Sequence, residues 1–237
     1  MKWRSLQESS PEPGTRRLYE IYAERRELIA RYVPAEIQAV HARVVEELNE
    51  SGITERALRT GDLAPEFALP EQSGILVRSA DLLSRGPMIL CFIRGRWCPF
   101  CVGQMEAMNA IVPDLEQLRA SLVAISPQTI HQSFLMADQH KFGFPLLSDA
   151  GHQVSRQFGL VYQVPGYQQE VYRRAFVNLP FVNGDDTWEL PIPAVFVLAR
   201  TAIGCQAGRI LFSSANPDYT ARAEPAEILS RIAQQLG

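Results

Sequence analysis

The feature that most constrains this chain is an uncharged apolar run, Pro87-Met88-Ile89-Leu90-Cys91-Phe92-Ile93, followed at once by Arg94-Gly95-Arg96-Trp97-Cys98-Pro99-Phe100-Cys101. Coming after the turn signal Ser84-Arg85-Gly86, the run predicts a strand buried on both faces, as in a parallel sheet. From Val102 onward apolar residues return at helical spacing, at Met105, Met108, Ile111-Val112, Leu115 and Leu118. A Cys-x-x-Cys pair therefore stands where a buried strand turns into a helix. Pro99 suits the first helical position, because the N–H it lacks would have been unpaired there anyway. Cys98 then falls close to the N-cap and Cys101 inside the first turn, where free N–H groups and the positive end of the helix dipole favour a thiolate.

Magnitudes decide whether this is enough. Bringing a free thiol from a pKa of about 8.5 to about 7 takes roughly 2 kcal/mol. The dipole supplies about 0.3–1 kcal/mol, occasionally about 2. Hydrogen bonds to the sulfur and the charge of Arg94 or Arg96 would make up the remainder. A structural zinc site would want a second cysteine pair or histidines at ligand spacing, and His131, His140 and His152 follow none. Two inert buried thiols would leave the Trp-Cys-Pro-x-Cys setting without a reason. The pair reads as a redox dithiol that needs no metal or other cofactor. One helical turn apart, Cys98 and Cys101 are close enough to form a reversible disulfide. Cys98, nearer the N-cap, is expected to be the more exposed and the more acidic thiol. Cys91 lies within the strand and reads as a small core hydrophobe, and Cys205, in a glycine-flanked loop, as incidental.

The 237 residues suffice for one sizeable domain plus an extension, or for two small domains. A net charge of −3 argues against a nucleic-acid or anionic-membrane surface. No apolar run approaches bilayer length, and Met1 to Glu8 lacks the apolar core of a signal peptide. The expected compartment is the cytoplasm, where a Cys-x-x-Cys pair is catalytic more often than structural.

Residues 1–14 read as a loose polar arm. Thr15 is placed to cap a helix carrying Leu18, Ile21-Tyr22 and Leu28-Ile29, and Pro34 opens a second with Ile37, Val40, Val44-Val45 and Leu48, which Ser51-Gly52 ends. Two such helices bury little alone, so their apolar stripes must dock on the main domain or on a second copy of the chain; a purely structural extension is the simpler reading. Gly61-Asp62-Leu63-Ala64-Pro65 marks the boundary between an extension, 1–60, and a main domain, 61–237. In that domain a hairpin around Gln72-Ser73-Gly74 and a short helix from Ser79 to Leu83 precede the central strand. After the cysteine helix come a strand from Ser121 to Ile125, a helix from Thr129 to Lys141, a strand Pro145-Leu147 and a short helix from His152 to Phe158. Residues 160–190 are less regular, and an insert of that length tends to shape a site or an interface. A strand from Ala194 to Leu198, its partner Arg209 to Phe212 and a closing helix from Pro225 to Leu236 complete an α/β domain with helices on both faces of a central sheet.

Four stretches carry a family resemblance over most of residues 61–237. They are Gly61-Asp62-x-Ala64-Pro65-x-Phe67-x-Leu69, the turn from Phe92 to Cys101, the segment Leu190-Pro191-Ile192-Pro193-Ala194-Val195-Phe196, and Asn216-Pro217-Asp218-Tyr219 with Ala223-Glu224-Pro225. Together they resemble the peroxiredoxin-like branch of the thioredoxin-fold superfamily, related to alkyl hydroperoxide reductase and the thiol-specific antioxidant proteins. The two N-terminal helices look like that branch's usual extension. The resemblance implies a thioredoxin fold with a central mixed sheet, catalytic residues Cys98 and Cys101, and support from Arg94, Trp97, Pro99 and Pro193. It further implies that the Ile192-Pro193 bond is cis and packs against the cysteines.

The departures are specific. Peroxiredoxins carry threonine three residues before the attacking cysteine, where this chain has Cys98, so Cys101 falls on the attacking position. They carry proline where this chain has Arg94, and their peroxide-orienting arginine aligns with Pro193. In thioredoxins the roles reverse and the first cysteine attacks. Two enzymatic chemistries follow. One is a thiol-dependent peroxidase that reduces a hydroperoxide and is restored by a thioredoxin-like protein or a small thiol. The other is a thiol–disulfide oxidoreductase without peroxidase activity, in which Cys98 attacks substrate disulfides. A redox-sensing or scaffolding protein that dimerises through its N-terminal helices is a third reading. Cys98 is nominated toward disulfides and Cys101 toward peroxide.

Overall fold

The computed structural model describes residues 17–201 and 208–236. The polar arm, the proposed Thr15 cap and Cys205 lie outside the described residues. Five strands form the central sheet in the order β5-β4-β3-β8-β9. Here β3 is Met88–Phe92, β4 Ser121–Ser126, β5 Leu146–Ser148, β8 Ala194–Leu198 and β9 Ile210–Ala215. Strands β3, β4 and β5 run parallel, while β8 pairs antiparallel with β3 and with β9. The sheet is therefore mixed, as the sequence implies.

Alternation along β3 divides the core. Ile89, Cys91 and Ile93 belong to one buried cluster, and Met88, Leu90 and Phe92 to the other, so the strand is covered on both faces. Helix α1, Leu18–Tyr32, places Leu18 and Tyr22 in the first cluster beside Cys98, Phe100 and Cys101. Helix α2, Ala35–Glu50, places Val44 and Leu48 in the second. The stripes of the extension thus dock on the chain's own sheet, one on each face. A short helix α3, Ile53–Arg56, follows the positive-φ residue Gly52, and Leu58 N–H donates to the Phe158 carbonyl (3.1 Å).

Strands β1, Ala68–Pro70, and β2, Leu76–Arg78, form the expected hairpin, followed by α4, Ser79–Arg85. The cysteine-bearing helix α5 runs from Pro99 to Ala110 and then breaks, with α6 restarting at Val112–Gln117. The sequence pattern ran one helix to Leu118. Pro113 explains the break, since it has no N–H to donate and its ring crowds the carbonyl one turn back. Helix α7, Ile130–His140, and α8, Gln153–Gln157, flank β5.

The segment 160–190 is more ordered than its sequence implies. It contains β6 (Val161–Gln163), α9 (Gly166–Arg174), α10 (Leu179–Asn183) and β7 (Glu189–Pro191). Strands β6 and β7 pair antiparallel, and Val164, Tyr172, Leu179 and Leu190 form a small buried cluster against which Trp97 packs. Elements of three to nine residues leave too little periodicity to read. Helix α11, Pro225–Leu236, closes the fold and buries Ile228 and Ile232 against the first cluster.

One expectation is overturned. None of the peptide bonds among the described residues is cis, so Ile192-Pro193 is trans. The chain makes no turn there. Ile192 N–H donates to the Leu160 carbonyl (2.9 Å), the Pro193 carbonyl accepts from Asn216 N–H (3.1 Å), and the backbone runs extended from β7 into β8. Trans is the default where no tight turn demands otherwise.

Candidate active site

The turn from β3 to α5 is built by local chemistry. Gly95 sits at φ 134°, and a side chain there would press on Gln128 Oε1 and the Trp97 indole nitrogen, each 3.1 Å away. Cys98 is the N-cap of α5 and Pro99 opens the first turn. The Cys101 N–H donates to Cys98 Sγ (3.4 Å), so the sulfur takes the place of a capping oxygen.

Arg94, itself buried, folds back onto the turn it precedes. Its Nη2 lies 3.0 Å from Cys98 Sγ, and its backbone N–H donates to Cys101 Sγ (3.4 Å). The guanidinium is stacked 4.2 Å from the Tyr219 ring centre and 5.1 Å from that of Trp97, and Nη1 stands 3.5 Å from the Tyr172 hydroxyl. Aromatic faces hold the cation, with no carboxylate paired to it among the described residues, and leave its charge for the sulfurs. Arg222 adds a second cation, its Nη2 3.5 Å from Cys101 Sγ. Arg96 turns the other way, toward Gln132 Oε1 (3.2 Å), and contributes nothing to the sulfurs.

Both sulfurs are fully buried, which corrects the expectation that Cys98 is the more exposed of the two. Its acidity agrees with expectation. Burial works against the Cys98 thiolate, but the hydrogen bond from Cys101 and the charges of Arg94 and Arg222 outweigh it and hold the thiol well below the ordinary range. Burial, together with its hydrogen bond to Cys98 and the charge there, keeps Cys101 protonated well above that range. The neighbours thus favour the thiolate on Cys98 and the thiol on Cys101. Cys91, buried in β3, is pushed up to about 12 by desolvation and stays an inert core residue. The described cysteines are all free thiols.

A narrow cavity of about 10 Å³ adjoins Arg94. Pro193, Tyr162, Tyr219, Gln168 and His41 line it, with apolar residues of α2. All six residues named from the sequence, Cys98, Cys101, Arg94, Trp97, Pro99 and Pro193, therefore gather at one place. Sequence reasoning missed Arg222, Tyr172, Gln168, His41 and the pair Tyr22 and Arg25. Tyr22 hydroxyl donates to the Phe100 carbonyl, and Arg25 Nη1 to the Pro99 carbonyl (2.7 Å), so α1 holds the first turn of α5. The C-terminal motif pointed at this region without singling out Arg222, which stands between its two halves.

A buried cysteine pair at the N-terminus of a helix, fed by the central strand of a mixed sheet, defines a thioredoxin-fold dithiol protein. The AhpC/TSA family matches residues 60–203, more than half of the chain, and the protein belongs to that family. A Mycobacterium tuberculosis chain assigned to the peroxiredoxins, MT1643, is 34% identical over 120 residues, 51% of this chain and 78% of that one. The Escherichia coli peroxiredoxin Bcp is 29% identical over 103 residues, 44% of this chain and 65% of its own. Among solved structures, peroxidoxin BcpB from Mycobacterium tuberculosis superposes with a TM-score of 0.57 at 24% identity, covering 75% of this chain and 97% of that one, which supports the fold. The protein is an oxidoreductase of the thiol-dependent peroxidase class. No helix among the described residues is long and apolar enough to cross a membrane.

Proposed function

We propose that hydroperoxide reduction runs on Cys98 and Cys101, with Cys98 as the attacking thiolate in place of Cys101, which the family alignment nominates toward peroxide. Cys101 is the resolving thiol, because burial and its neighbour keep it protonated. The observation that carries this is the 3.0 Å approach of Arg94 Nη2 to Cys98 Sγ. In the first step the thiolate attacks one peroxide oxygen. The S–O bond forms as the O–O bond breaks, the sulfur is oxidised to a sulfenic acid, and the departing hydroxide or alkoxide takes a proton from water. In the second, the Cys101 sulfur attacks the sulfenic sulfur, an S–S bond forms, and the hydroxyl leaves with the thiol proton as water. A thioredoxin-like protein or a small thiol reduces the disulfide by two exchange steps.

Arg94 supplies the charge that an arginine at the position of Pro193 would have supplied. Trp97 holds Arg94 in place, Pro99 sets the helix start, and Pro193 walls the cavity. Full burial of Cys98 speaks against direct attack on protein disulfides, which need an accessible sulfur. The reading keeps residues 61–237 as the catalytic domain, 1–60 as an extension that reaches its site, and a reducing, cytoplasmic setting for the free dithiol. Pairing with a second copy through the outer face of the extension, where Tyr19, Leu28 and Tyr32 are exposed, is a separate proposal that light scattering tests.

Sulfenate trapping with dimedone tests the assignment. A Cys101→Ser variant should accumulate sulfenate on Cys98 after one equivalent of peroxide, and Cys98→Ser should form none. Sulfenate on Cys101 at the wild-type rate in Cys98→Ser would overturn it.

A further inference from the structure

We infer that Gln168 and His41 hold a small hydroperoxide, of the size of hydrogen peroxide, against Arg94. This rests on the peroxidase reading above and assigns the substrate's binding groups. Both residues line the cavity that Arg94 also lines. Each leaves a buried polar atom without a hydrogen-bond partner, Gln168 Oε1 and His41 Nδ1, and so does Arg94 at Nε. Buried polar atoms are nearly always paired, so three orphans around one small cavity call for a ligand with its own donors and acceptors.

The chemistry of the three matches a hydroperoxide. Gln168 is 1% exposed, and its Nε2 donates to the Tyr172 hydroxyl (3.1 Å), which leaves the carbonyl oxygen as its free end. That oxygen can only accept, and Arg94 Nε can only donate. A peroxide offers an O–H to the first and an oxygen lone pair to the second. His41 is kept neutral by burial and by the charge of Arg94, so its ring can serve the other oxygen as donor or acceptor. Arg94 already contacts Cys98 through Nη2, so a peroxide on Nε lies on the same guanidinium as the attacking sulfur.

Size sets the class. The cavity of about 10 Å³ is on the scale of one water molecule. Val44, Leu48 and Ile192 give it apolar walls, and a volume this small beside Arg94 favours hydrogen peroxide over a bulky alkyl hydroperoxide.

Stopped-flow oxidation of the full-length dithiol protein tests this. Gln168→Leu should lower kcat/KM for hydrogen peroxide about tenfold, the loss of one hydrogen bond made to substrate, while iodoacetamide alkylation of Cys98 stays within about twofold of wild type. His41→Phe should lower the same constant with alkylation unchanged, and it serves if Gln168→Leu does not fold. In the wild type, cumene hydroperoxide should react at least about tenfold more slowly than hydrogen peroxide. An unchanged kcat/KM in a folded variant, or alkylation falling in parallel with it, would overturn the role of these residues; equal rates for the two peroxides would overturn the size class. Peroxide turnover that survives Cys98→Ser would instead overturn the underlying reading, a result these variants do not produce.

Discussion

The two walls of the thiol site are built in opposite ways. One is a single stretch, Arg94 to Cys101, in which each part follows from its neighbours: a buried strand, a glycine at positive φ, a sulfur in the N-cap and a proline after it. The other is assembled from Tyr22, Arg25 and His41 of the extension, Gln168 and Tyr172 of the insert, and Tyr219 and Arg222 before the closing helix. The near wall carries the sulfurs, and the far wall decides what reaches them and how firmly the turn is held. Damage to the near wall should stop the chemistry, whereas damage to the far wall should retune it.

The largest effect is expected at the near wall. Cys98→Ser should lower peroxide turnover by at least about 10³-fold, as loss of an attacking nucleophile does. Peroxide consumption coupled to thiol oxidation measures it. A loss as large from Cys101→Ser in the first, single-turnover step would break the division of labour between the two sulfurs.

Arg94→Met comes next, because it removes the cation while keeping an apolar stem between Tyr219 and Trp97. A cation in a water-poor site is worth on the order of 10²-fold in rate. The pH dependence should move with it. In the wild type, alkylation of Cys98 should hold its plateau well below the ordinary thiol range, because the depressed group stays ionised there; in Arg94→Met the plateau should retreat toward higher pH. An unmoved profile would assign the thiolate to the helix terminus alone.

The third prediction probes the far wall. His41 is held down at about 4 from an ordinary 6.5, by burial first and by Arg94 second. As pH falls from about 6.5 to about 4, the unfolded chain takes up a proton on this group and the folded chain does not, so folding loses stability across that window and no further below it. The loss approaches about 3 kcal/mol, two to three units at about 1.4 kcal/mol each. Urea midpoints at pH 7.5, 5.5 and 4 should show a steeper decline for wild type than for His41→Gln. Parallel declines would mean that the far wall does not feel its own charge.

The same contrast governs what was legible in the sequence. Strands β3 and β8 are unbroken apolar runs, and the Cys98–Pro99 helix start is a local signal, so fold and sulfurs could both be read. Pro113 was visible, but the apolar periodicity ran straight through it and the helix break did not show. Local spacing left Arg94 and Arg96 equivalent and the family resemblance named Arg94, but its packing against Tyr219 and Trp97 and the turn of Arg96 toward Gln132 belong to the folded chain alone. Pro193 lines the cavity beside Arg94, whose lining does not include the cysteines, and its isomer depended on whether the chain turns there. Gln168, His41 and Arg222 carry no local pattern, because long-range packing alone brings them to the sulfurs.

The smallest effect sharpens the boundary between the walls. Arg25 is nearly buried, and its Nη1 donates to the Pro99 carbonyl at 2.7 Å, while the neighbouring Tyr22 hydroxyl holds the Phe100 carbonyl. Both bonds tie the extension to the first turn of α5, where the sulfurs sit. Arg25→Met keeps the side-chain stem and removes the donor to one carbonyl. Because Pro99 is only half-buried, water can take over that acceptor, so the cost should be modest, about 1–2 kcal/mol. A shift of roughly 2–8 °C in Tm follows for a chain of this length. The informative readout is access. Alkylation of Cys98 should quicken in Arg25→Met, since a looser first turn exposes the sulfur more often, while the pH of half-maximal alkylation stays put because Arg94 is untouched. A variant that loses stability without gaining alkylation rate would show that the extension braces the fold but does not control the opening of the site.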